Sequence, residues 1–110
     1  MCYCISTLIH ISFTKMTDKE LNTVEAKELF TAISSLVTPE DCKKFFRDLC
    51  TLSEIKGMIE RFQVAKRVLN EESYRSISEA TGASTTTVTR VAHWFHHGMG
   101  GYKLVLGRPK

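Results

Sequence analysis

The chain has 110 residues, 43% of them hydrophobic and 25% charged, with 15 Lys+Arg against 12 Asp+Glu and a formal net charge of +3. This describes one small domain with enough apolar residues for a core, which excludes a disordered chain, and with too little charge for a histone-like tail. The charge is uneven: Gly82 to Lys110 contains no Asp or Glu but holds Arg90, Lys103, Arg108, Lys110 and three histidines, so the C-terminal quarter is the electropositive end.

The opening stretch MCYCISTLIHISFTK lacks the basic start and the small-residue cleavage site of a signal peptide, and His10 interrupts its apolar run. It is also too short to span a membrane. Residues 1–16 therefore read as an extension, a disordered tail or the product of an upstream start, ahead of a domain at 17–110. Cys2, Cys4, Cys42 and Cys50 show neither CxxC nor zinc-finger spacing, which favours a reduced chain in the cytoplasm and no membrane partner.

Beyond Met16 the apolar residues recur at helical spacing. Ala26, Leu29, Phe30, Ile33, Leu36 and Val37 predict an amphipathic helix over about residues 20–36. Thr38-Pro39-Glu40-Asp41 restarts the chain, with a capping hydroxyl, a proline suited to the first helical position, and acids at the positive end of the helix dipole. The stripe of this second helix is Cys42, Phe45, Phe46 and Leu49. Thr51-Leu52-Ser53-Glu54 is a capping box opening a third helix, with Ile55, Met58, Ile59, Phe62, Ala65, Val68 and Leu69 expected inward as the core spine.

Ser73 can cap a short helix from about Tyr74 to Thr81, and Gly82 can adopt the left-handed conformation that a tight interhelical turn needs. The next helix begins within three residues. Ile77, Ala83, Val88 and Val91 are apolar where a helix-turn-helix must lock its two helices together. Ser78 stands beside the turn where alanine or glycine is commoner. A purely structural hairpin would share this pattern, but the hydroxyls that follow argue against one. With Val88 and Val91 inward, Ser84, Thr85, Thr86, Thr87, Thr89 and Arg90 are left mostly outward at the helix start, where a recognition helix meets DNA. Small hydroxyls donate and accept hydrogen bonds to phosphates and base edges, and threonine methyls can touch the methyl of thymine. Helix propensity in this run is thus given up for a surface suited to a groove.

Gly82-Ala83 with Thr87-Val88-Thr89-Arg90, and Arg61-Phe62-Gln63-Val64-Ala65 upstream, resemble the reading head of the Trp repressor superfamily. Thr38-Pro39-Glu40, Phe46, Asp48-Leu49-Cys50, Gly82-Ala83-Ser84-Thr85 and Gly101-Tyr102-Lys103 with Leu106 and Arg108 resemble its YerC/YecD branch over about residues 20–108. The resemblance implies an all-α, multi-helix Trp-repressor-like fold, an intertwined homodimer, and helix-turn-helix units entering successive major grooves of double-stranded DNA. Carried over by position, Ser84, Thr85, Thr86, Thr87 and Thr89 fall on DNA-facing positions and Arg75 on a phosphate-contacting one. Arg90 matches the arginine that lies against the corepressor ring. The position of the arginine that binds the tryptophan carboxylate falls on Ile55, Val91 replaces a glycine that leaves room for the ring, and Trp94 replaces a small serine. A possible effector pocket would thus comprise Ile55, Arg90, Val91 and Trp94, and tryptophan is expected to bind poorly. Either Val91 and Trp94 fill the ligand's space or Trp94 packs in the dimer core. Whether another small-molecule effector exists stays open.

His93, His96 and His97 share a helix face, but no fourth ligand has suggestive spacing, so no metal and no cofactor are expected. Gly98-Met99-Gly100-Gly101 is a hinge into Tyr102-Lys103-Leu104-Val105-Leu106, expected to pack on the partner subunit as a short helix, and 107–110 is a basic tail expected to be frayed. No phosphate loop, activated nucleophile or paired carboxylates argue for an enzyme. The expectation is a dimeric, sequence-specific DNA-binding regulator acting as a repressor. The alternative is a helical module that binds a protein or RNA partner without operator specificity.

Overall fold

The computed structural model describes residues 18–107. The expectations for residues 1–16 and for the end of the basic tail lie outside these residues. Six helices follow one another: α1 (Val24–Ser34), α2 (Pro39–Leu49), α3 (Leu52–Leu69), α4 (Tyr74–Thr81), α5 (Thr85–His97) and α6 (Gly101–Leu106). No strand occurs among the described residues, and the all-α architecture expected from the sequence is the observed one. The chain divides within α2 into two compact units, 1–45 and 46–110.

In the first unit, α1 starts later than the periodicity suggested. Leu21 and Asn22 form a turn on the carbonyls of Asp18 and Lys19, the Asn22 side chain also donates to the Asp18 carbonyl at 2.9 Å, and Thr23 becomes the N-cap, its hydroxyl accepting from the Ala26 amide at 3.0 Å. These local bonds close the helical turn at 18–20 and separate it from α1, which begins at Val24. The Thr38 hydroxyl likewise accepts from the Asp41 amide at 3.1 Å, as its position ahead of Pro39 predicted. No residue of α1 is fully buried, and Leu29 and Phe30 are exposed.

In the second unit, the capping box of α3 closes as expected: the Thr51 hydroxyl accepts from the Glu54 amide at 3.1 Å, and the Thr51 amide donates to the Glu54 carboxylate at 2.8 Å. The core is a single cluster of Val64, Ala65, Val68, Ile77, Ala83, Val88, Val91, Ala92 and Phe95. Only the C-terminal part of α3 enters it, against α4 and α5. Met58, Ile59 and Phe62, expected inward, are exposed, with Ile59 57% accessible, and so is Leu69 at the end of the helix. The spine expected along the whole helix is thus a spine for its second half, because α4 and α5 are too short to cover more.

The C-terminal segment forms the short helix expected of it, and one side of that helix packs within its own unit. Tyr102 and Leu106 pack on this chain's own core, and the Tyr102 ring stacks on Phe95 at 6.2 Å between centroids, with the Lys103 ammonium 5.8 Å from the Phe95 ring centre. Gly100, at φ +85°, makes the reversal that lets so short a helix fold back. Leu104 and Val105 remain exposed on its far side.

Candidate nucleic-acid interface

Two short helices meet at Gly82, whose φ of +79° is the left-handed value anticipated for it. Three side-chain bonds brace this turn. Ser78 donates to the Ala83 carbonyl at 2.6 Å, Thr81 donates to the Ile77 carbonyl at 2.7 Å, and the Ala83 amide donates to the Thr81 hydroxyl at 3.2 Å. The serine that departs from the usual alanine or glycine therefore has its own purpose: its hydroxyl spans the turn and ties the end of α4 to the residue before the α5 cap. The tie was not legible beforehand, since a bond across five residues depends on how the turn closes.

The start of α5 divides its hydroxyls between two tasks. Ser84 is the N-cap, accepting from the Thr87 amide at 3.1 Å, and its hydroxyl also donates to the Thr87 hydroxyl at 3.1 Å. Ser84 is exposed as expected, whereas Thr87 is partly buried, and the hydroxyls of both serve the helix start. The cap offsets part of the cost of a threonine-rich first turn, by about 1 kcal/mol. Thr85, Thr86, Thr89 and Arg90 are exposed, and none has a side-chain hydrogen bond or ion pair among the described residues. At 3.6 residues per turn they cover an arc of roughly 140°, opposite the side that buries Val88, Val91, Ala92 and Phe95. The buried side fixes the rotation of the helix, and that rotation is what presents the hydroxyls.

Arg75 lies in the first turn of α4 and pairs with Glu79 at 3.3 Å. Both are strongly exposed, so the pair is worth little and the guanidinium can exchange it for another anion.

Of the four residues considered for an effector pocket, Val91 belongs to the core at 2% exposure, while Trp94 is 38% exposed, its ring edge-on to His93 at 5.2 Å. Ile55 is partly buried in the first turn of α3 and Arg90 is exposed. The surface depressions on the first unit are lined by Leu21, Val24, Lys27, Phe30 and Thr31, far in sequence from all four. An apolar Ile55 does not deprive α3 of a cation. Arg61, given no role by the sequence reading beyond its place in the resemblance, is exposed on the same helix without an ion pair among the described residues. Its guanidinium lies over Gly57, 3.3 Å from where a Cβ would stand. The case for an obstructed pocket therefore rests on Val91 and Trp94. His93 and His97 face each other at 5.3 Å between ring centroids, and no group of three metal-capable side chains occurs among the described residues.

A braced turn joining two short helices on a common core, with the second presenting a polar face, defines a helix-turn-helix protein. The sequence profile of the Trp repressor protein family matches residues 24–110, and the chain belongs to that family. It is 38% identical over 96 residues to the uncharacterized protein YerC of Bacillus subtilis (strain 168), covering 87% of this chain and 88% of that one. It also matches the crystal structure of a TrpR-like protein from Eubacterium eligens ATCC 27750 at 40% identity and a TM-score of 0.77, covering 82% of this chain and 93% of that chain. A further solved structure, from Staphylococcus aureus, matches at 39% identity and the same TM-score of 0.77, over 82% of this chain and 90% of that chain. No described helix is long and apolar enough to cross a membrane.

Proposed function

We propose that this protein is a sequence-specific DNA-binding transcriptional regulator of the cytoplasm, acting as a repressor by occupying its site, with residues 17–110 forming the DNA-binding domain behind an extension at 1–16. The observation that carries the reading is the exposed face of Thr85, Thr86, Thr89 and Arg90 on a helix whose opposite face is locked into a helix-turn-helix core. Membership of the Trp repressor family supports it. Ser84 and Thr87 contribute by holding the helix start, the Thr87 amide being taken up by the Ser84 hydroxyl. Arg75 supplies a phosphate contact on release from Glu79.

The protein acts as a homodimer. One arginine on the recognition helix gives little electrostatic affinity, so binding depends on engaging two half-sites at once. Exposed apolar side chains on both units, including Phe30, Leu52, Ile59, Phe62 and Val105, supply surface that a second copy would bury. Exchange of helices between subunits is one way to bury it.

Binding does not depend on tryptophan. Val91 fills interior space beneath α5, and Trp94 replaces open surface with an indole. Calorimetric titration with tryptophan is expected to show no binding in the micromolar range, and micromolar affinity would refute this part of the reading.

Selection from random duplexes tests the whole. A two-fold symmetric motif with half-sites about one helical turn apart, enriched by the protein and lost in the Thr86→Ala, Arg90→Ala double variant, is the expected result. Binding that ignores sequence at fixed salt would point instead to a module for RNA or a protein partner.

A further inference from the structure

The side chains of α5 admit few of the contacts by which a helix reads base edges. Adenine is read by Asn or Gln and cytosine by Asp or Glu, and α5 has none of these four residue types. Guanine is read by Arg or Lys, and α5 has Arg90 alone. The three histidines lie in the second half of α5, and what remains at its start is threonine. The Ser84 and Thr87 hydroxyls are committed to the helix start, while Thr85, Thr86 and Thr89 are exposed with no side-chain partner among the described residues, each presenting one methyl and one hydroxyl. Of the four bases only thymine carries a methyl in the major groove.

We infer that the protein selects duplexes whose contacted half-site is a short run of T·A pairs, read by the methyls of Thr85, Thr86 and Thr89, beside a single G·C pair read by Arg90. The inference rests on the DNA-binding reading above and names the class of sequence bound. Its extent follows from helix geometry. Thr85 to Thr89 spans about 6 Å along the helix axis, roughly two base-pair steps, so two or three T·A pairs are within reach. The hydroxyls add hydrogen bonds that tolerate several bases, and the methyl is what discriminates. Arg90 stands one residue beyond Thr89 and four beyond Thr86, on the side of the stripe farther from Thr85. Without an ion pair, its guanidinium is available for two parallel bonds to a guanine edge.

The test uses the full chain and the duplex recovered by selection, with binding followed by fluorescence anisotropy at fixed salt. Each thymine of a half-site is replaced in turn by deoxyuridine, which removes only the C5 methyl. Two or three positions are expected to weaken binding by about fourfold each, the value of one buried methyl group. In Thr86→Ser, which keeps the hydroxyl and removes the protein's methyl, at least one of those replacements is expected to have no further effect. A selected duplex that binds equally well with deoxyuridine throughout, or a G·C-rich half-site, overturns the inference while leaving DNA binding standing. Failure to enrich any duplex overturns both. Circular dichroism of Thr86→Ser confirms that the helix is kept.

Discussion

Helices α1 and α5 are built from the same local signals and end in opposite conditions. Each begins at a hydroxyl N-cap that accepts from a backbone amide, Thr23 in one and Ser84 in the other, and each is three to four turns long. Yet α1 buries nothing completely, while α5 buries Val88, Val91, Ala92 and Phe95. The apolar stripe of α5 meets α3 and α4 within its own unit. The stripe of α1 has Leu29 and Phe30 exposed and no such cover among the described residues of its own unit. Capping and periodicity thus determine that a helix forms, whereas its stability depends on the surface that receives it. The proposed homodimer would give α1 the cover that α5 already has within its own unit.

The largest effect should come from the core side of this contrast. Ile77 is completely buried between the helices of the reading head, and Ile77→Ala is expected to cost about 2 to 5 kcal/mol in urea unfolding. Leu29→Ala, measured at a concentration where the protein is monomeric, is expected to cost well under about 1 kcal/mol. Equal losses would break the comparison. Next comes association. Leu29→Glu with Phe30→Glu places two charges on the stripe of α1 and is expected to weaken self-association by at least about tenfold, or about 1.4 kcal/mol, by sedimentation equilibrium. An unchanged dimer would mean that α1 waits for something else.

A smaller effect sharpens the account of α5. Ser78→Ala removes the donor to the Ala83 carbonyl and is expected to lower stability by about 0.5 to 1.5 kcal/mol. DNA affinity should fall by more than that loss explains at a temperature where the variant is fully folded, since the bond sets how α5 projects from the turn. A drop in melting temperature with affinity intact would reduce Ser78 to a structural residue. The smallest effect on stability should come from Arg75→Ala, less than about 0.5 kcal/mol because the pair with Glu79 is exposed. Its effect should appear in the salt dependence of DNA binding, where the slope falls by about one. An unchanged slope would remove Arg75 from the interface.

Parts of the interface were legible before any coordinates, and for identifiable reasons. Gly82 announced a left-handed turn because few other residues adopt that φ, and Thr51-Leu52-Ser53-Glu54 announced a capping box because its two bonds close within four residues. Val88 and Val91 followed from spacing on a helix of known period. Ala92 and Phe95 continue the same stripe, but His93, His96 and His97 around them give that part of the helix a polar pattern. The brace of Ser78 and the partial burial of Thr87 depend on how the turn closes.

By itself the sequence determined which segments are helical, where most of them begin, that the fold is all-α, and which residues make the helix-turn-helix, since caps, glycine and apolar period act within a few residues of chain. The tertiary structure decided which of the apolar stripes is satisfied. Only packing of α4 and α5 against the second half of α3 leaves Met58, Ile59 and Phe62 outside, turns α6 back onto Phe95, and separates hydroxyls that hold α5 from those left exposed. The reason is that hydrogen-bonded caps are local, whereas burial depends on residues distant in sequence meeting across a common core.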